Sequence, residues 1–338
     1  MVDPSLSDTR DVLTSIWERV LSRKSVRTDD DFFDLGGNAF LAFKLFMEIE
    51  ERFDLTLPAA TICAAPTVAA LAALLKAPST PGPLVSLKPG SGGPPIFLCP
   101  GIGGSVIDLV PLARRMQSNQ PIYGMEPLGN YGAEDRLERI EDTAEFFLAA
   151  IRQLQPRGPY FLVGYSLGGL VTLEIAQRLR AKGEDIALLA MLDSYPDRRQ
   201  LSFTQHARLA LQLARLRLAH RIRKNPPNRS EVRNHVSRQW SNPSPAEEKH
   251  SIAMERLKDA QYRALRNYRP RRYNGRIYLV RAAVPTYFPS DPAPVWRRMA
   301  KELEIVTVPG DHVGIITTHI DDLAAVVTSW VQQAFAAK

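Results

Sequence analysis

The apolar positions of the chain fall into two successive patterns. From 8 to 22, Val12, Leu13, Ile16, Trp17, Val20 and Leu21 recur at helical spacing, and from 39 to 52 Phe40, Leu41, Leu45, Phe46 and Ile49 do the same. A shorter helical pattern follows Pro66, over 67–76. Apolar residues three and four apart make one stripe on a helix, so these segments predict a small bundle packed stripe to stripe. After residue 95 the pattern becomes short apolar runs: "PIFLC" (95–99), "PIYGM" (121–125), "YFLVGY" (160–165), "ALLAML" (187–192), "RIYLVRA" (276–282) and "LEIVTV" (303–308). Such runs suit strands buried on both faces. Helical patterns around 141–154, 166–182 and 318–336 accompany them. Strand alternating with helix predicts a mostly parallel sheet covered on both sides.

Two intervals break this rhythm. "APSTPGPLVSLKPGSGGPP" (77–95) is dense in Pro, Gly and Ser and reads as a linker. Residues 197–270 are long, helical and strand-free, which predicts a helical insertion or lid. Within it, 203–224 set Leu209, Leu213, Leu216 and Leu218 among arginines, an amphipathic basic helix. The expected division is therefore a helical domain at 1–78, a linker at 79–94, and an α/β domain at 95–338 that carries the insertion at 197–270.

Composition narrows the class. The 338 residues are 45% hydrophobic and 23% charged, ordinary for a globular protein, with no apolar run long enough to span a bilayer. The start "MVDPSLSDTR" lacks a secretory pattern, and Cys63 and Cys99 fall in different predicted domains, so no disulfide and a cytoplasmic location are expected. The net charge is +7, but it is unevenly spread. Acidic residues mark the first domain (Asp29, Asp30, Asp31, Asp34, Glu48, Glu50, Glu51), and the basic excess lies between Arg198 and Arg272. Without zinc-finger spacing, a basic zipper or an aromatic RNA-binding box, no nucleic-acid partner is expected, nor a membrane. The opposite charges predict instead that the acidic domain docks near the basic insertion.

The strongest chemical signal is "VGYSLGG" (163–169), which matches G-x-S-x-G between an apolar strand and an amphipathic helix. That context holds Ser166 in a tight turn with its hydroxyl above the sheet, and the helix N-terminus favours developing negative charge. A serine needs a base. Of six histidines, His312 follows the last predicted strand in a Gly-flanked loop, at the sheet edge where catalytic groups gather; His319 is the reserve. His206, His220, His235 and His250 lie in the insertion and read as surface residues. Asp193 ends the strand after the nucleophile helix and takes the orienting role, whereas Asp311 reads as shaping its turn. The order Ser166, Asp193, His312 is that of an α/β-hydrolase. The N–H groups of Leu167 and of Ile102, in the glycine-rich "CPGIGGS" (99–105), are the expected oxyanion donors, with Gly101 as a second choice. No metal site is expected.

"DDFFDLGGN" (30–38) resembles the signature of a peptidyl carrier domain, and "PIFLCPGIGGSV", "QPIYGMEPLG", "QPRGPYFLVGYSLGGLVTLEIAQRLRAKGE" and "LLAMLDSYP" resemble blocks of a type I thioesterase. The chain is similar to the carrier–thioesterase pair that ends nonribosomal peptide synthetases. The resemblance implies a helical-bundle carrier followed by an α/β-hydrolase with a lid. Its implied activity is release of a carrier-bound acyl or peptidyl thioester, by hydrolysis or cyclisation, through Ser166, His312 and Asp193. It further implies upstream synthetase modules, a phosphopantetheinyl transferase and a 4'-phosphopantetheine arm. The signature ordinarily continues with the serine that bears the arm, and here Ala39 stands there. A deliberate Ser→Ala change accounts for an otherwise intact signature; a natural carrier kept only for docking is the other explanation. The rival functions are a catalytically idle docking module and a free-standing esterase.

Overall fold

The computed structural model describes residues 6–77, 82–126, 138–196, 203–204, 206–207, 210–211, 245–285 and 293–336. Helices α1 (Leu6–Val20), α2 (Ala39–Phe53), α3 (Thr61–Ala64) and α4 (Val68–Lys76) form the N-terminal unit. The predicted stripes meet in one core with Leu13, Trp17, Phe32, Leu45, Ile49 and Leu71, where Trp17 and Phe32 pack edge to face at 5.4 Å between ring centroids. Side chains close the helix entrances: Asn38 accepts the N–H of Leu41 and Thr67 that of Ala70. The short α3 has too few residues to show a period.

The rest of the chain builds a seven-stranded sheet from β1 (Leu84–Lys88), β2 (Ile96–Cys99), β3 (Ile122–Met125), β4 (Tyr160–Tyr165), β5 (Ile186–Leu192), β6 (Tyr273–Ala282) and β7 (Ala300–Val308). Their order is β1-β3-β2-β4-β5-β6-β7, parallel except for β1, which runs antiparallel to β3. The helices are α5 (Val110–Arg115), α6 (Ile140–Leu154), α7 (Leu167–Ala181), α8 (Pro245–Asn267), α9 (Ala293–Met299) and α10 (Ile320–Ala336). Alternate residues of β4 serve opposite faces. Phe161, Val163 and Tyr165 join a core with α5 and α10, and Tyr160 and Leu162 join one with α6 and α7. Burial on both faces is why these strands read as continuous apolar runs. Among the described residues no helix is long and apolar enough to cross a membrane.

The linker expected at 79–94 is corrected in its middle, because Leu84–Lys88 form β1, with Val85 and Leu87 buried. Prolines and glycines on either side hid a five-residue alternation. In the interval 197–270, residues 203–204, 206–207 and 210–211 are helical and α8 closes it. Leu209, Leu213, Leu216 and Leu218 of the predicted basic helix, like His220 and His235, lie outside the described residues.

The acidic loop of the helical unit packs on α5. Arg114 pairs with Asp31 at 2.7 Å and Asp34 at 3.1 Å, and its guanidinium lies over the Phe33 ring. Beside it, Ile107 enters the core of the helical unit and Ala60 the core of the sheet. Partly exposed ion pairs are worth about 0–1 kcal/mol, so this apolar exchange carries more of the contact than the charges do.

Candidate active site

β4 ends at Tyr165 and α7 begins at Leu167, so the whole turn is made by Ser166, at φ +55° and ψ −120°. This conformation is unfavourable for a residue with a side chain, by roughly 1–3 kcal/mol, and is held by the elements on either side. The Ser166 N–H donates to the Leu192 carbonyl at 2.9 Å. A Cβ at Gly168 would stand 2.3 Å from the Cys99 carbonyl oxygen, so only glycine lets α7 approach β2 this closely.

The three residues expected from the motif order come together. His312 Nε2 stands 3.1 Å from Ser166 Oγ, and His312 Nδ1 stands 2.6 Å from Asp193 Oδ2. Asp193 terminates β5, its N–H tied to the Val280 carbonyl. Its second oxygen, Oδ1, accepts the Ala282 N–H and the Tyr195 hydroxyl, both at 2.9 Å. Burial, and then the Asp193 charge, push the Tyr195 phenol far above its ordinary range, so it stays a neutral donor. Tyr165 stacks on the His312 imidazole at 4.9 Å between ring centroids and donates its hydroxyl to the His312 carbonyl at 2.7 Å.

The other sequence candidates are used elsewhere. Asp311 Oδ1 accepts the Gly314 N–H and shapes the His312 loop. His319 pairs with Asp322 at the start of α10. His206 is exposed.

The glycine-rich loop lies against the serine: a Cβ on Gly101 would be 3.0 Å from Ser166 Cβ. Among the described residues, the N–H groups of Ile102 and Leu167 have no acceptor. The N–H of Gly103 does, since Gln261 Oε1 of α8 accepts it at 2.6 Å. The end of the loop is fixed by carboxylates. The Ser105 N–H donates to Asp108, and Glu126 accepts the Ser105 hydroxyl and the Val106 N–H.

Burial pushes Glu126 from 4.5 up to about 7, against the opposing hydrogen bonds from Val106 and Ser105. The folded chain thus keeps this proton to about pH 7, whereas an unfolded chain loses it near pH ~4.3. The Glu126 contribution to stability accordingly falls as pH rises through that interval and levels off above it. Glu126→Gln removes the slope. Melting curves of variant and parent should therefore diverge in the variant's favour from about pH 5 to about pH 8. A difference that stays constant with pH would contradict the burial of this carboxyl.

Tyr165, Tyr195 and Gln261 were not among the sequence candidates. The two tyrosines stand in or beside the motifs, but nothing local says where a hydroxyl will point. Gln261 is 158 residues from its partner and left no signal.

Position 39 opens α2, and its methyl group packs partly against the helical core. It has no hydroxyl to form a phosphodiester, so the chain as it stands does not fit a phosphopantetheine arm there.

Two family profiles match the chain: "Thioesterase domain" over residues 94–331 and "Phosphopantetheine attachment site" over 11–75. A "Dimodular nonribosomal peptide synthase" of Bacillus subtilis (strain 168) is 33% identical over 190 residues, 55% of this chain and 8% of that protein. The "Enterobactin synthase component F" of Escherichia coli O157:H7 is 33% identical over 178 residues, 51% of this chain and 14% of that protein. The chain thus spans a small part of the length of these curated relatives. Among solved structures, a four-domain nonribosomal peptide synthetase bound to AMP and glycine aligns with 97% of the chain and 26% of its own, at TM-score 0.60 and 25% identity. The NocB thioesterase domain aligns with 72% of this chain and 96% of its own, at TM-score 0.52 and 21% identity, a likeness of fold.

Proposed function

The chain belongs to the thioesterase domain family, and on that premise we propose that it releases an acyl or peptidyl chain from a thioester through an acyl-enzyme on Ser166. A carrier region precedes the thioesterase. What supports the mechanism is the relay of 3.1 Å from Ser166 Oγ to His312 Nε2 and 2.6 Å from His312 Nδ1 to Asp193. Ser166 Oγ attacks the thioester carbonyl while His312 Nε2 takes its proton, and Asp193 holds the ring and offsets the imidazolium charge. The N–H groups of Ile102 and Leu167 receive the oxyanion. As the intermediate collapses, the C–S bond breaks and the leaving thiolate takes the proton from His312. Water, or an amine or hydroxyl of the bound chain, then attacks the Ser166 ester; His312 accepts its proton and returns one to Ser166 Oγ.

The same reading places the carrier at 1–78 and the thioesterase at 95–338, with 197–270 as an insertion beside the site. It gives the chain a place after upstream synthetase modules, whose thioester it would receive, and a cytoplasmic setting in keeping with two free thiols. Ala39 occupies the position where the attachment serine would stand. Treatment with coenzyme A and a phosphopantetheinyl transferase is expected to add one arm to Ala39→Ser, by intact mass, and none to the parent. If neither gains mass, position 39 is not an attachment site.

A fluorophosphonate is the direct test of the nucleophile. One adduct per chain is expected, located on Ser166 by peptide mapping and absent from Ser166→Ala. No adduct would support the idle docking module instead. A free-standing esterase would leave residues 11–75 without a purpose.

A further inference from the structure

Helix α8 presses on the loop that carries Ile102, and two of its residues, one turn apart, do so together. Gln261 Oε1 accepts the Gly103 N–H at 2.6 Å. The aliphatic stem of Lys258 covers the same glycine: a Cβ there would stand 2.4 Å from Lys258 Cε. Gly103 has φ +64°, a backbone conformation strained for any residue with a side chain, and the Lys258 stem would have to move to make room for a Cβ. Gln261 is 6% exposed, which keeps water from replacing it as the acceptor. The loop is anchored at Ser105 by Asp108 and Glu126 and abuts Ser166 at Gly101. Between those anchors, the Gln261 hydrogen bond orients the peptide plane that follows Ile102. Only the φ and ψ of Ile102 separate that plane from the one bearing the Ile102 N–H.

We propose that Gln261 is a positioning residue for the reaction, holding the loop in the shape that aims the Ile102 N–H at the substrate carbonyl oxygen. This rests on the oxyanion role of Ile102 given above and extends it, because it makes a side chain of the insertion a determinant of kcat. A transition state gains from a well-aimed donor while the ground state gains little.

Gln261→Met keeps the side chain's length and removes its carbonyl oxygen. Parent and variant are compared with a small acyl thioester and with a trifluoromethyl ketone analogue of it. Ser166 Oγ adds to that ketone, passing its proton to His312 and leaving a hemiketal oxyanion in the donors' reach. The variant is expected to lose roughly tenfold in kcat and a similar factor in ketone affinity, with KM within about twofold. A purely structural role would lower the melting temperature and leave the kcat-to-ketone correspondence absent. A kcat within about twofold of the parent, or a loss confined to KM, overturns the proposal. If Gln261→Met fails to fold, Gln261→Asn, whose carbonyl is drawn back by one methylene, is read by the same criteria. Failure of the underlying reading looks different: parent turnover would then survive Ser166→Ala.

Discussion

Ser166→Ala is expected to abolish thioester turnover, lowering kcat by roughly 10⁴-fold or more and removing the acyl-enzyme. The hydroxyl oxygen both attacks and leaves, and it is the group held 3.1 Å from His312 Nε2. The fold should not suffer. Position 166 has φ +55° whichever of the two residues occupies it, so alanine meets the same backbone strain as serine. The tie from its N–H to the Leu192 carbonyl remains. Melting temperatures of variant and parent should agree within about 2 °C, which separates lost chemistry from lost structure. Undiminished turnover of an acyl thioester by the folded variant would remove Ser166 from its role.

Asp193→Asn comes second, with an expected loss of about 10³–10⁴-fold in kcat and little change in KM. The physical reason is the division of labour between the two carboxylate oxygens. Oδ1 is committed to the Ala282 N–H and the Tyr195 hydroxyl, both donors, so an asparagine must keep its carbonyl oxygen there. Its amide then faces His312 Nδ1, which has to accept, and the ring proton moves to Nε2. That tautomer cannot take the Ser166 proton. Asp311→Asn is the control: its carboxylate bonds the Gly314 N–H and leaves the relay alone, so kcat should change by less than about threefold. Equal losses in the two variants would mean that the loop, rather than the orienting carboxylate, had been damaged.

The elements that carry the site were legible because their causes are local. A continuous apolar run such as "YFLVGY" reports burial on both faces wherever it stands, and the stripe of α2 reports a helix with one packed side. Ser166 was legible because a strand, a crowded turn and a helix are adjacent in the chain, and the order Ser166, Asp193, His312 then followed from strand ends. Ala39 was conspicuous by the same logic, as a methyl group after the signature and its capping Asn38.

β1 was lost to its prolines and glycines, and two contacts of the site and the seat of the acidic loop were not legible at all. Tyr195 could have turned its hydroxyl anywhere; only the fold places it on Asp193 Oδ1. Arg114 meets Asp31 across 83 residues of sequence, and Gln261 meets Gly103 across 158. Such contacts have no period and no flanking motif, since neither partner's neighbours change when the other is present. By itself the sequence determined six of the seven strands, the main helices, and the candidates Ser166, Asp193 and His312 that the fold brings together, through packing periods and turn sterics that act within a few residues. That the Ala282 N–H holds Asp193, that α8 presses on the loop carrying Ile102 and that the acidic loop rests on α5 were decided by tertiary structure alone. Each joins groups 83 or more residues apart in the chain, which become neighbours only in the folded protein.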